Sequence, residues 1–275
     1  MTTSTSEIAH IYERDGFFFP VDVLSEAEAQ AIRDDFEAAE AELADRPGEL
    51  AILRGSPAHV LPSFAELIRH PRLVEAVSEV LGPDLLVWGS GLFIKEPRTP
   101  DYVSWHQDLT YWGLDQQLEV TAWVALSPAT IESGCMRFVA GTHKEPIVSH
   151  FDTHSEQNLL TRGQEIEVEV DEADAVDVVL KPGQVSLHHG HLFHASNPNG
   201  SDDRRIGAAL RYITPSMAQR SGVKPLVAHV SGDDRHHHFT HAPLPNGRLH
   251  EDDFERCRQN GQIMREVLFE GAEDR

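Results

Sequence analysis

Leu85-Leu86-Val87-Trp88-Gly89-Ser90-Gly91-Leu92-Phe93-Ile94-Lys95 decides the fold class of this chain. Two short apolar runs flank a Gly-Ser-Gly break, the texture of strands rather than of a helix. The same texture continues towards the C-terminus. Val120 to Ala125, Gln184 to His189 and Ile206 to Ile213 are β-like. Ile166-Glu167-Val168-Glu169-Val170 alternates apolar with acidic residues, as a half-solvated strand does. Ala173 to Lys181 is a further strand candidate that runs into the Pro182-Gly183 turn. Short strands punctuated by Gly and Pro predict a sandwich or a barrel.

Towards the N-terminus the pattern differs. Phe17 to Val21 reads as a short buried strand ended by Pro20. Ser25-Glu26-Ala27-Glu28 is a capping box that opens an Ala/Glu-rich helix to about Ala44. Leu73 to Leu81 has helical spacing, stopped by Gly82 and Pro83. The expectation is a single domain over 1–275: a mainly helical region over 1–82, a β core over 83–215 and an extension over 216–275, helical from about Asp252 to Phe269.

With 275 residues, 40% of them hydrophobic, the chain can bury a core without staples. No apolar run approaches a membrane span, and Met1 to Ser6 is polar, unlike a signal peptide. Two cysteines, Cys135 and Cys257, argue against a disulfide scaffold or a Cys-rich zinc site and fit a reducing, cytoplasmic setting. The 45 acidic against 23 basic residues give a net charge of -22, which repels nucleic acid and anionic membrane. The expected partner is a small molecule; the sequence is silent on oligomeric state.

The chemistry gathers at Trp105-His106-Gln107-Asp108. On an extended segment His106 and Asp108 leave the same face, so one ion can take both. Two imidazoles and a carboxylate leave three octahedral positions open, which suits non-haem Fe(II) that must also bind a cosubstrate and O2. The second imidazole must come from a distant strand, and His188, His189, His191 and His194 crowd one region. Beyond the turn Asn197 to Ser201 lies Arg205, a candidate grip for a cosubstrate carboxylate, with Arg204 as its rival. Ser196 is placed to donate a second hydrogen bond to that carboxylate.

Taken with Tyr111-Trp112, Trp123, Ser133-Gly134-Cys135-Met136-Arg137, Gly141-Thr142-His143-Lys144, Pro182-Gly183-Gln184, Asn199 and Arg204-Arg205-Ile206-Gly207, these residues resemble the phytanoyl-CoA dioxygenase family from about Gly16 to Pro215. The resemblance implies a double-stranded β-helix (a cupin-like jelly roll). It implies Fe(II) held by His106, Asp108 and His194. It implies 2-oxoglutarate with its far carboxylate on Arg205, and Ser196 and Trp123 lining that site. The implied activity is an oxygenase that consumes O2, releases succinate and CO2, and hydroxylates an unactivated C–H of a small metabolite. Relatives that halogenate lack the carboxylate, so Asp108 disfavours halogenation. Nothing in the sequence marks a CoA site.

Trp105, Gln107, Tyr111, Trp112 and Arg211 are candidates for substrate contact. Arg211 leads the bases Arg54, Lys95, Arg98 and Arg137 because strand alternation puts it on the face of Arg205. Trp88, Trp105, Tyr111 and Trp112 form a possible aromatic box for a quaternary ammonium, although such residues more often pack a core. His236-His237-His238 reads as a solvated loop or rim, and Cys135 as a small core residue. Two other classes compete: a cupin-like metalloenzyme that does not use 2-oxoglutarate, and a non-catalytic metabolite-binding protein on the same scaffold.

Overall fold

Strands form over Leu85–Lys95, Glu119–Ala125, Gln184–His188 and Arg205–Ile213, where short apolar runs predict them. The computed structural model describes residues 7–110, 112–153, 157–160 and 164–268. These fall into two units, each assembled from three separated stretches of chain.

The first unit takes in the described parts of Met1–Arg33, Leu92–Asp108 and Val120–Ala209. It holds α1 (Glu7–Asp15), β1 (Phe17–Asp22), the start of α2 (Glu26–Glu42) and the end of β2 (Leu85–Lys95). β3 (Val103–His106), β4 (Glu119–Ala125), β5 (Met136–Val139), β6 (His150–Asp152) and β7 (Gln164–Ile166) follow. β8 (Ala175–Val178), β9 (Gln184–His188), β10 (His194–Ser196) and the start of β11 (Arg205–Ile213) complete it. One sheet runs β1-β9-β4-β11-β2 here, a second runs β3-β10-β5-β8, and β6 pairs with β7 alone. Phe17, Trp123, Ala125 and Ala209 from the first sheet meet Met136, Phe138 and Val178 from the second in one core. This is the two-sheet antiparallel packing of a jelly roll.

The second unit takes in the described parts of Asp34–Gly91, Leu109–Glu119 and Leu210–Arg275. It contains α3 (Pro47–Gly55), α4 (Pro57–Val60), α5 (Pro62–Leu67) and α6 (Pro71–Leu81). Each of these four helices opens on a proline, whose missing N–H costs nothing there. The first half of β2 and the second half of β11 join β12 (Leu226–Ser231) and β13 (Thr240–His241) in the order β11-β2-β12-β13, and α7 (Glu251–Leu268) ends the described chain. Leu86, Leu109, Trp112, Ile213, Met217, Val227 and Phe239 form its core.

Several local expectations change. Gly89 and Gly91 lie inside one 11-residue strand, β2, instead of separating two. β1 runs through Pro20: it is an edge strand, and its pairing with β9 skips Phe19 and Pro20, so the missing N–H is not needed. The alternating stretch 166–170 stays in a strand only to Ile166, which is buried; Val168 is 44% exposed, so beyond Ile166 the alternation has no buried face to serve. The capping box forms as read, with Ser25 N–H donating to Glu28 Oε2 at 2.7 Å and Glu28 N–H to Ser25 Oγ at 3.2 Å. Among the described residues no helix is long and apolar enough to cross a membrane.

Candidate metal centre

β10 lies between β3 and β5, with His194 opposite both His106 and Phe138. Residues directly opposite in an antiparallel pair share a face, so the two imidazoles meet, with ring centroids 4.0 Å apart. Asp108 joins them by a different route from the one its spacing suggests. β3 ends at His106, and a 3-10 turn over Asp108–Thr110 brings the carboxylate back. Its Oδ1 lies 3.3 Å from His106 Nε2 and 4.0 Å from His194 Nε2. Each imidazole is oriented by a carbonyl two residues behind it: His106 Nδ1 by Ser104 O and His194 Nδ1 by Leu192 O, both at 2.9 Å. A carbonyl only accepts, so Nδ1 carries the proton and Nε2 presents its lone pair. One donor atom from each of the three residues lies within 4.8 Å of the others, and both imidazoles are buried. Two neutral nitrogens and one carboxylate at these distances fit a facial Fe(II) site.

The rival histidines are outside this set. His188 packs beside His194 and Phe138, each with ring centroids 5.0 Å away. His189 groups with Tyr12, His143 and His191.

Two buried basic side chains, Arg205 and Lys95, lie in the same unit. Arg205 is 1% exposed, and its guanidinium sits over the Trp123 ring at 5.3 Å. Among the described residues no carboxylate or carbonyl meets it, and its buried Nε has no hydrogen-bond partner. Burial lowers its pKa to about 10. Gly207 makes the stack possible, because a Cβ there would fall 1.7 Å from the Trp123 indole. Arg204, the rival, instead pairs with Glu96 at 2.7 Å. Lys95 is fully buried; its Nζ donates to Ser196 Oγ at 2.7 Å and to Asn197 O. Burial first, and Arg205 second, push its ammonium down to about 6. Asn199, also buried, donates to the carbonyls of Lys95, Glu96 and Asp203 and so ties the end of β2 to the turn before β11. A buried guanidinium and, beside it, a lysine held largely neutral for want of an anion make a site whose chemistry fits a carboxylate.

Of the remaining candidates, Gln107 spends both ends of its amide inside the protein, donating to His191 O and accepting from Val148 N–H, each at 2.9 Å. Trp105 precedes His106 on β3, so its ring leaves the opposite face, where Arg137 lies over it at 5.7 Å. Trp112 stacks on Trp88 at 5.0 Å and carries Arg211 on its ring at 5.2 Å. Tyr111 lies outside the described residues. Arg54, Arg98 and Arg137 pair with Glu40, Asp202 and Glu172. His236 and His238 stack on each other at 5.4 Å. The Cys135 thiol is pushed up to about 11 by burial, as suits a packed residue. Lys95 is the functional candidate that sequence reasoning undervalued. Its one signal was its position at the end of an otherwise apolar strand.

The comparisons agree with this geometry. The phytanoyl-CoA dioxygenase family model matches residues 12–207. A phytanoyl-CoA dioxygenase domain-containing protein 1 homolog from Dictyostelium discoideum is 31% identical over 154 residues, a match that covers only 55% of either chain. An ectoine dioxygenase from Bordetella parapertussis is 26% identical over 247 residues, with 80% of each chain covered. Among solved structures, the apo form of ThoJ, a non-heme monooxygenase, superposes with a TM-score of 0.87 at 32% identity, covering 98% of this chain and all of that one. A family match over most of the chain, with a trio of residues able to hold a metal inside the matched stretch, leads to one conclusion: the chain belongs to the phytanoyl-CoA dioxygenase family.

Proposed function

We propose that this chain is an Fe(II)- and 2-oxoglutarate-dependent oxygenase that hydroxylates an unactivated C–H of a small metabolite, with release of succinate and CO2. The observation that carries the reading is Arg205, a buried guanidinium with no anion of its own in the unit that holds the metal triad. His106, Asp108 and His194 would hold the iron. When bound, iron with 2-oxoglutarate and O2 supplies the oxidising power for C–H cleavage. The chain's own residues do the placing. Asp108 offsets one unit of the ion's charge, and the carbonyls of Ser104 and Leu192 keep both imidazoles in the ligating tautomer. Arg205 presents a planar two-pronged donor to the far carboxylate. Ser196 accepts from Lys95, which leaves its own hydroxyl proton to donate to the same carboxylate. Trp123 walls the pocket and keeps water from the guanidinium. With two free cysteines, we place the protein in a reducing compartment, the cytoplasm. A metalloenzyme without 2-oxoglutarate would leave Arg205 and Lys95 unexplained, and a mere binding protein would have no need of the triad.

Anaerobic addition of Fe(II) and 2-oxoglutarate tests this. The wild type is expected to show the weak charge-transfer absorption of the chelate, and His106→Ala and Asp108→Ala to lose it together with substrate-dependent succinate. Arg205→Met should keep iron while weakening 2-oxoglutarate roughly 100-fold, the loss of two charge-assisted hydrogen bonds. Full succinate release by Asp108→Ala would overturn the assignment.

A further inference from the structure

Arg205 is one of two shielded arginines among the described residues that meet neither a carboxylate nor a carbonyl; Arg211 is the other, and its Nε too is buried without a hydrogen-bond partner. The remaining shielded arginines are engaged. Arg33 pairs with Asp203, Arg137 with Glu172, Arg204 with Glu96, Arg256 with Asp253 and Arg258 with Glu255. Arg69 donates to the carbonyls of Ala65 and His229. In a chain with 45 acidic against 23 basic residues, a half-buried guanidinium left without a carboxylate runs against composition.

The surroundings of Arg211 are built in advance. Its guanidinium lies over Trp112 at 5.2 Å, and Trp112 stacks on Trp88 at 5.0 Å with 24° between the rings. The buried Gln219 amide, oriented to satisfy both of its ends, accepts from Trp88 Nε1 at 2.8 Å and donates to Trp112 O at 3.0 Å. A cation held on an indole face keeps its in-plane N–H edge free for an acceptor. Gly89 and Gly91 on the neighbouring strand β2 leave its flank bare. A Cβ at either would have an Arg211 guanidinium nitrogen within 4.0 Å.

We infer that Arg211, on its Trp112–Trp88 stack, is a second anion-recognition site, built for the carboxylate of a small molecule other than 2-oxoglutarate. The planar carboxylate matches the two-pronged edge of the guanidinium, and the stack offers an apolar wall for the rest of the molecule. The site stands on its own surroundings. It rests on the oxygenase reading only where the oxidised substrate is named as one source of the carboxylate, the other being a separate effector.

Benzoate, with benzamide as its neutral isostere, probes the site by tryptophan fluorescence of the full chain. Benzoate is expected to give a saturable change and benzamide none. Arg211→Gln should weaken benzoate at least about tenfold, the effect of a lost charged hydrogen bond, while 2-oxoglutarate affinity stays within about twofold. Arg205→Gln should do the reverse. If Arg211→Gln does not fold, Gly89→Val keeps the guanidinium but covers its flank, and it must weaken benzoate as well. Unchanged benzoate binding in a folded Arg211→Gln or Gly89→Val, or equal binding of benzamide, overturns the inference. A screen of carboxylates against their amides for stimulated succinate release separates the sources. A carboxylate consumed by the wild type and not by Arg211→Gln is the oxidised substrate, and one that alters succinate release without being consumed is an effector. Absence of succinate with every compound would sink the oxygenase reading, while the benzoate result would still decide the Arg211 site.

Discussion

Gly207 has no side chain, and the seat of Arg205 on Trp123 depends on that. The Trp123 indole occupies the volume a Cβ would need, and the same indole is the platform for Arg205. Gly207→Ala must push the ring aside and with it the guanidinium. The expected result is a 2-oxoglutarate affinity weakened by tenfold or more, on the order of 1.4 kcal/mol, with iron binding retained. Calorimetric titration of the variant with each component checks it, and unchanged 2-oxoglutarate affinity would show that Trp123 does not set Arg205.

Lys95 makes a second prediction at this scale. Its ammonium is pushed from the ordinary lysine value down to about 6, so above that pH burial beside Arg205 holds it largely neutral. A carboxylate arriving beside Ser196 favours the charged form and draws a proton onto Nζ. Binding of 2-oxoglutarate at pH 8 should therefore take up close to one proton. Titrations in two buffers of different ionisation enthalpy measure the uptake, which should vanish in Lys95→Met. The sign follows from a lysine lowered in the folded state: uptake is largest between about 6 and the ordinary lysine range and fades below about 6, where Nζ is already charged. No uptake at pH 8 would mean that the cosubstrate does not sense Lys95.

At the scale of elements, what the sequence reveals depends on how local the determinant is. The capping box is set by four adjacent residues and is readable as such; Ser25→Ala should cost about 1 kcal/mol, measurable by denaturant unfolding. The candidate ligand pair His106 and Asp108 is equally local in spacing, but the route of Asp108 is not, because the turn that returns it is set by where β3 ends. His194 is found by family spacing, and its register opposite His106 comes only from sheet pairing. Lys95 and Pro20 were hidden for the same reason. Whether a residue lies on an edge or in a core is decided by strands far away in sequence.

The connection between β9 and β10 is a further element whose behaviour follows from such pairing. His189 N–H donates to Gly16 O at 2.9 Å, and its ring lies among Tyr12, His143 and His191. Burial first, then the neighbouring imidazoles, hold His189 down to about 3, and burial lowers His143 and His191 as well. In the unfolded chain these groups take protons from about 6.5 downwards. Their contribution to stability is thus full above about 6.5 and is lost as pH falls towards about 3. Melting temperature followed from pH 7.5 to pH 5 should drop, and drop less in His189→Gln. An equal slope in both proteins would remove His189 from the acid response.

Across the whole molecule the dominant electrostatic fact is a net charge of -22. Two salt effects oppose each other. Exposed ion pairs such as Arg98–Asp202 and Arg235–Asp233 contribute roughly 0–1 kcal/mol each and weaken as salt screens them. Self-repulsion among the excess carboxylates destabilises the folded state and is relieved by the same screening. The Debye length shrinks from about 30 Å at 0.01 M salt to about 8 Å at 0.15 M, so repulsion between distant carboxylates is lost first, while pairs at hydrogen-bond distance are less affected. The repulsive part therefore wins over this range, and the melting temperature should rise between 10 mM and 150 mM NaCl. A scan at constant pH near 8, away from the histidine window, measures it. A fall in melting temperature would show that the surface pairs hold the fold more strongly than the excess charge strains it.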